Sequence, residues 1–581
     1  MKTFKHKYIV AFALFAAAFG CKKALNLNPQ DTLSDAAYWK KANDFKLAAN
    51  AFYLYERTFA GTVTDGVHSD LRSDLLTNST KNIYSNGTNS VVQSDGTYNT
   101  DYQRIRNINF MLDKASTYAA PAEISQYVAE AKFFRAYIYF DLLQAFGGVT
   151  IVSKPLDTND PLLTSPRNTR DEVADFIIAD LKAAIPDLPL ESVLKSSDEG
   201  RVSKGAAGAF LSRVALYEGT WQKFRGNTSR ANALLDVAIN SSKDVMTSSQ
   251  YALFGTTGTT VALGDSALKY MFILENTKSN PASVTKSANT EYILANRYDE
   301  NIRISNLNIT KTTFANGSVD WPTRKLANLY LCSDGLPIDK SPLFKGYGTA
   351  RSEFANRDKR MQYTLMVTGN DYWSNANYRV TWKNDATDVA HAGYKPLVSN
   401  FGTGYQNQKW ASERNVADNY ESYDYPVIRY AEVLLNYAEA TFERNGSISD
   451  ADLNISLNQV RHRVNSAMPL LTNDFVTANG LDMQTEIRRE RSVELYHEGF
   501  RIDDLKRWKT AGTEMPMPAL GIKWAGTEFT TIWAGASTIP QDANGVLVID
   551  NSRTWQDKNY LLPIPQDQIK LNNKLTQNPG W

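Results

Sequence analysis

The chain has 581 residues, 63 Lys and Arg against 62 Asp and Glu, 43% hydrophobic and 22% charged residues, and a mean hydropathy of −0.40. That mix belongs to a globular chain and excludes a disordered or polytopic one, and near-neutral charge excludes the basic surplus a nucleic-acid binder needs to displace counterions. Two cysteines exclude a disulfide framework and a Cys-based zinc site, and no two of the five histidines stand at helical metal-binding spacing.

Residues 1–8 carry Lys2, Lys5 and Lys7, and residues 9–20 (IVAFALFAAAFG) are apolar and small. A charged start before an apolar core too short to span a bilayer reads as a secretory leader. Small residues lead into Cys21 at Ala18-Phe19-Gly20-Cys21, the place for lipid attachment in a bacterial lipoprotein signal. Ala18 departs from the usual Leu, and an ordinary leader with an incidental cysteine is the alternative. Two or three acyl chains on Cys21 give lasting anchorage to membrane lipid, where one chain is reversible. Loss of residues 1–20 turns the charge from +1 to −2. No later apolar run reaches membrane-spanning length, so residues 21–581 are expected to form a single soluble body on a lipid tether. Cys332, left without a partner, is expected as a buried free thiol.

The body divides by pattern into a helical scaffold at 35–247 and 421–509, an irregular lobe at 248–420 and a loop-rich C-terminal region at 510–581. Segment 124–146 places Ala129, Phe133, Tyr137, Phe140 and Leu143 on one helical face and ends at Gly147-Gly148. Segment 203–219 opens at a Ser203 cap, and its Ala206-Ala207-Gly208-Ala209 run admits a close neighbour. With 101–117, 169–186, 229–247, 427–444, 451–465 and 484–509 this makes eight helices, enough for four pairs. The fold class is mainly α, a tetratricopeptide-like helix-pair scaffold, although no clean repeat period survives. The inserted lobe is rich in Thr, Ser, Asn and Gly and reads as loops and small sheets.

Several blocks stand out in order along the chain. Glu130-Ala131-Lys132-Phe133-Phe134-Arg135-Ala136-Tyr137 to Phe146-Gly147-Gly148-Val149 is one. Ser203-Lys204-Gly205-Ala206-Ala207, Asp334-Gly335-Leu336-Pro337-Ile338, Arg357-Asp358-Lys359-Arg360 and Tyr425-Pro426-Val427-Ile428-Arg429-Tyr430 follow. Glu490-Arg491 through Glu498-Gly499-Phe500-Arg501 to Asp504-Leu505-Lys506-Arg507-Trp508, and the close Leu562-Pro563-Ile564-Pro565 to Gln577-Asn578-Pro579-Gly580-Trp581, complete the set. In this order they resemble the SusD/RagB family of Bacteroidetes outer-membrane lipoproteins, with Thr150 in place of that family's usual proline. The resemblance implies a non-catalytic surface lipoprotein of the outer membrane, facing the cell exterior. It implies capture of glycan or oligosaccharide for a SusC-like TonB-dependent transporter, the helical body packing on the transporter and ligand lying near the lobe. Capture of a peptide or glycopeptide by the same machinery, a surface glycosidase and a plain envelope scaffold are the competing readings.

Arg135, Arg429, Arg491 and Arg501 stand in helices with Asp141, Glu432, Glu494, Glu498 and Asp504. Guanidinium–carboxylate pairs locking helix to helix account for them better than an anion site. His497-Glu498 lacks the second histidine of a metal motif, and no Walker loop, GxSxG elbow or HExxH occurs. No cofactor is predicted, although the oxygen-rich stretch 370–386 would suit a structural calcium.

Sugar capture needs a flat ring for the pyranose face and polar groups for its hydroxyls. Trp321, Trp373, Trp382 and Trp410 lie in the lobe, with Asn370, Asn375, Asn377 and Asn384 flanking the middle two. Tyr84 and Asn86 lie in the polar loop 75–100. The four tryptophans, Tyr84 and Asn86 are the expected substrate-binding residues; the family's own ligand residues fall outside the matched blocks.

Overall fold

The computed structural model describes residues 38–63, 66–310, 320–370, 402–412 and 419–581, with isolated positions 372–373, 379–380 and 386. The leader, Cys21, Trp382, Asn375, Asn377 and Asn384 lie outside them, as does most of 370–386. The α-helices of seven residues or more are α1 (Ala42–Phe52), α2 (Gly96–Ser116), α3 (Ser125–Phe146), α4 (Arg170–Ala184), α5 (Lys204–Lys223), α6 (Thr228–Thr247), α7 (Tyr430–Asn445), α8 (Met483–Glu494) and α9 (Arg501–Arg507). Among the described residues eight short strands form four antiparallel two-stranded ladders: β1 (Leu76–Thr77) with β3 (Trp321–Pro322), β2 (Tyr292–Asn296) with β6 (Tyr425–Arg429), β4 (Tyr372–Trp373) with β5 (Arg379–Val380), and β7 (Ala519–Lys523) with β8 (Val546–Asp550).

The scaffold stacks successive helices: α3 packs on α2 and α4, α5 on α4 and α6, and α7 on α5, α6 and α8. The mainly helical class holds, and most expected helices sit within a few residues of their places. Three differ. α1 was not among the eight. Residues 427–429 belong to β6, where Pro426 and the β-branched Val427-Ile428 favour extended backbone before the helix begins at Tyr430. Segment 484–509 breaks between α8 and α9, where His497 and Gly499 take φ of 61° and 81°. Segment 451–465 likewise divides into Asp450–Asn454 and Leu457–His462.

α3 is the central helix. Beyond the expected face it buries Phe134, Ile138, Tyr139, Leu142 and Phe146, so it is packed nearly all round rather than on one stripe. Gly147 ends it with φ 76° and ψ −122°, a conformation open to glycine. A Cβ there would lie 2.9 Å from Leu561 Cδ1. The orphaned carbonyls of this helix end are met by the C-terminal strap: Leu562 N donates to Ala145 O at 2.7 Å and Asn578 Nδ2 to Phe146 O at 3.0 Å. α5 begins as expected, with Ser203 Oγ accepting from Ala206 N at 3.2 Å. Its small residues admit close neighbours, since a Cβ on Gly208 would touch Val245 of α6 at 3.1 Å.

The charged residues of the matched blocks form a buried lattice. Arg429 donates to Glu498 (2.7 and 2.8 Å), to Glu494 (2.7 Å) and to Glu291 (2.8 Å). Glu494 also accepts from Arg463, and from Arg360 at 3.2 Å; Arg360 reaches Glu490 at 2.5 Å and pairs with Asp358. Arg461 donates to Glu490 at 3.1 Å, and Lys409 Nζ to Glu498 at 2.7 Å. Five cations thus meet five carboxylates, joining α8, β2, β6 and the lobe. Elsewhere Arg491 pairs with Asp504, Arg213 with Glu432, Arg135 with Asp180 and Arg501 with Asp74. Locking is therefore the role of these groups, although Arg135 and Arg501 find partners other than the nearby acids. Cys332 is buried and free.

A main core fills the scaffold. A second core lies under the lobe, where Leu75, Leu76, Tyr330, Tyr405, Tyr496, Trp533 and Leu547 meet, so part of the C-terminal region packs into the lobe.

Candidate functional site

The open end of the lobe is built on the β1–β3 ladder. Its register sets Thr77 opposite Trp321, which brings the loop after β1 beside the first of the expected tryptophans across more than 240 residues of sequence. Trp321 is partly buried against the second core. Gly402 lies against its ring: a Cβ there would come within 2.7 Å of Cζ3, so only glycine permits this packing without moving the indole. The indole N–H of Trp321 is buried and has no partner among the described residues.

The loop after β1 is shaped by its own side chains. Asn82 Oδ1 accepts from Tyr84 N at 2.9 Å and from Ser85 N at 3.3 Å, an Asx turn that presents Tyr84. The Tyr84 ring is half-buried and carries the Arg72 guanidinium 3.6 Å from its centroid, so one face is taken by a cation. Ser69 Oγ accepts from Leu71 N at 3.2 Å and fixes the turn that holds Arg72. Tyr84 and Arg72 line a crevice with Trp555, Asn89, Lys506 and Asn559 of about 20 Å³, room for about one water and not for a sugar ring. Burial depresses the Lys506 ammonium below the usual lysine range, with Asp503 opposing. A separate cleft of about 190 Å³ lies along β2, where Tyr251 and Tyr292 meet Arg297, Lys286 and Asp424.

Two expected ligand residues are corrected. Trp410 is fully buried: it stacks with Tyr423 and Tyr425 at 6.3 and 6.2 Å, meets Phe59 and Phe272 edge-on, and donates to His497 O at 3.1 Å. It is a core ring with no face left for cargo. Asn86 is buried beneath the C-terminal strap, its carbonyl accepting from Thr554 N at 3.2 Å and Thr554 Oγ1 at 2.9 Å. Trp373 is placed only by its backbone, in β4. Trp382 and Cys21 lie outside the described residues. The sequence reading missed Trp555, although Thr554-Trp555-Gln556 repeats the polar-flanked tryptophan pattern used for the lobe. Among the described residues no cluster of His, Cys, Asp and Glu could hold a metal ion, and no helix is long and apolar enough to cross a membrane.

The chain is similar to known proteins over most of its length. The model of the SusD family matches residues 273–581, and a second, described as starch-binding associating with outer membrane, matches residues 26–216. SusD-like protein P38 of Formosa agariphila is 27% identical over 235 residues, 37% of this chain and 43% of that protein, so the match spans less than half of the relative. A SusD-like carbohydrate binding protein of Bacteroides fragilis has the same fold, with a TM-score of 0.71 at 22% identity over 93% of this chain and 99% of that one. A laminarin binding SusD-like protein superposes with a TM-score of 0.57 at 20% identity, covering 93% and 99%.

Proposed function

The chain belongs to the SusD family, and on that premise we propose that it captures glycan at the open end of the lobe and passes it, unaltered, to a SusC-type TonB-dependent transporter. A lipid on Cys21 holds it to the outer membrane, facing the exterior. The carbohydrate-binding and laminarin-binding proteins that share the fold support this reading, as does the second family model's description.

The observation that carries it is the setting of Trp321. The β1–β3 ladder holds the indole partly buried against the second core, with Gly402 against its ring and the polar loop after Thr77 beside it. A fixed aromatic surface loses little entropy on binding and suits the apolar face of a pyranose, while nearby loop amides suit its hydroxyls. The buried carboxylates of the lattice are paired with arginines, which keeps them from the proton transfer a glycosidase acid requires.

Affinity electrophoresis in gels containing laminarin or other candidate glycans tests the reading. Trp321→Ala should lower retention about tenfold or more on the glycan that wild type retains, with circular dichroism unchanged. Equal retention of the variant removes Trp321 from the site, and shortening of the glycan by wild-type protein overturns binding without turnover.

A further inference from the structure

A cleft of about 370 Å³ lies between α8, α9 and the short helix Arg324–Leu329, and neither Trp321, Tyr84 nor the strap lines it. Its volume falls in the range of about 300–1,000 Å³ typical of small-ligand sites. Lys325, Arg488, Arg489 and Arg501 line it against one carboxylate, Glu514, and Trp508 forms part of the wall.

Three of the cations are matched. Arg501 forms a two-pronged pair with Asp74 at 2.8 Å, Arg489 meets Glu486 at 3.1 Å and Lys325 meets Glu514 at 2.7 Å. Arg488 is not. Its contact to Glu443 is 3.4 Å, and that carboxylate already takes Lys223 at 2.6 Å and Gln484 at 2.8 Å. Arg488 Nε is buried with no partner. The guanidinium sits 4.8 Å from the Trp508 ring and 5.0 Å from the Phe224 ring, which fix its plane. Burial depresses its pKa, although Glu439 and Glu443 oppose it. Two further lining residues, Asn328 and Thr510, carry a buried Oδ1 and a buried Oγ1 without partners.

We propose that this cleft is a second saccharide site that takes a sugar acid, its carboxylate on Arg488 and Lys325 and its hydroxyls on Asn328 and Thr510. A planar guanidinium suits a carboxylate, and an unpartnered amide oxygen and an unpartnered hydroxyl on residues lining the same cleft suit a ligand bearing hydroxyls. That the ligand is a sugar rests on the glycan-capture reading; the carboxylate site stands on its own geometry.

Ligand-observed NMR on the full chain with glucuronate, glucose and acetate tests it. Glucuronate should bind at least tenfold more tightly than either of the others. Arg488→Gln and Lys325→Glu should each weaken it about tenfold or more, the loss of one charge-assisted hydrogen bond. Lys325 is well exposed, with its side chain 41% accessible, so that variant keeps the test alive if Arg488→Gln fails to fold. Glucose binding as well as glucuronate, acetate binding as well as glucuronate, or glucuronate binding untouched in both variants overturns the proposal. Retention of neutral glycan lost in Trp321→Ala shows the first site standing whether or not the second does.

Discussion

Glu494 is the shared carboxylate of the buried lattice, and Glu494→Gln tests whether that lattice holds the scaffold to the lobe. The side chain is fully buried and accepts from Arg429 at 2.7 Å, from Arg360 at 3.2 Å and from Arg463. Those arginines hold its carboxyl far below the usual carboxylate range, against burial. Glutamine keeps the volume but offers one acceptor oxygen and turns an amide N–H toward guanidinium donors. Five cations then face four carboxylates in a site without water contact. Removing one partner of a buried ion pair costs about 3–5 kcal/mol, a large part of the roughly 5–15 kcal/mol that holds a typical fold together. The weakest cation is Lys409, which burial has already pushed down to about 8 despite its Glu498 partner; the variant should shed that proton below pH 8. The sign with pH follows from the depressed carboxyl. Its stabilisation is present above the unfolded value of about 4.3 and lost as pH falls toward the folded one, so wild type should lose stability on acidification more steeply than the variant. Urea unfolding followed by far-UV circular dichroism, at pH 7 and at pH 4, reads both effects. A loss under about 1 kcal/mol at pH 7 would refute a locking role, because a truly buried unmatched charge cannot cost so little.

Asp101 gives the opposite pH signature. Burial, with Asp141 nearby, raises its carboxyl to about 8 against the pull of Arg104, so its contribution is full below the unfolded value and lost as pH rises through about 8. Asp101→Asn should flatten that decline and leave the protein more stable than wild type at pH 9 by urea denaturation; an unchanged profile contradicts the raised carboxyl. Trp410→Ala should cost about 3–5 kcal/mol by opening a core cavity, whereas Trp321→Ala should leave the unfolding midpoint nearly unmoved; similar midpoints for the two would undo the division into core ring and ligand ring. Cys21→Ser should move the protein from the membrane to the soluble fraction on cell fractionation without its transporter, and continued membrane association would argue against a lipid anchor.

The helices were legible because their apolar spacing, caps and terminating glycines are local signals: Ser203 and Gly147 mark their ends in the chain as they do in space. The break between α8 and α9 was not, since it depends on Asp70, far away in sequence, accepting from His497 N at 2.6 Å. Partners of the buried arginines were half legible. The residue types announce pairing, but Arg501 reaches Asp74 rather than an acid on its own helix, a choice made by tertiary packing alone. Ligand rings were the least legible, because exposure is a property of neighbours. Trp410 and Trp321 look alike in sequence, yet four aromatic rings enclose the first and a glycine edge leaves the second partly open. Trp555 escaped notice because the loop-rich C-terminal region gave no hint that its strap returns to the Tyr84 loop.

A glycan array probed with the purified body, followed by mass analysis of each retained glycan, tests the central claim most directly. The account predicts retention of one glycan class, recovered at its original length, with Trp321→Ala failing to retain it. Absence of retained glycan, or recovery of shortened chains, would contradict it.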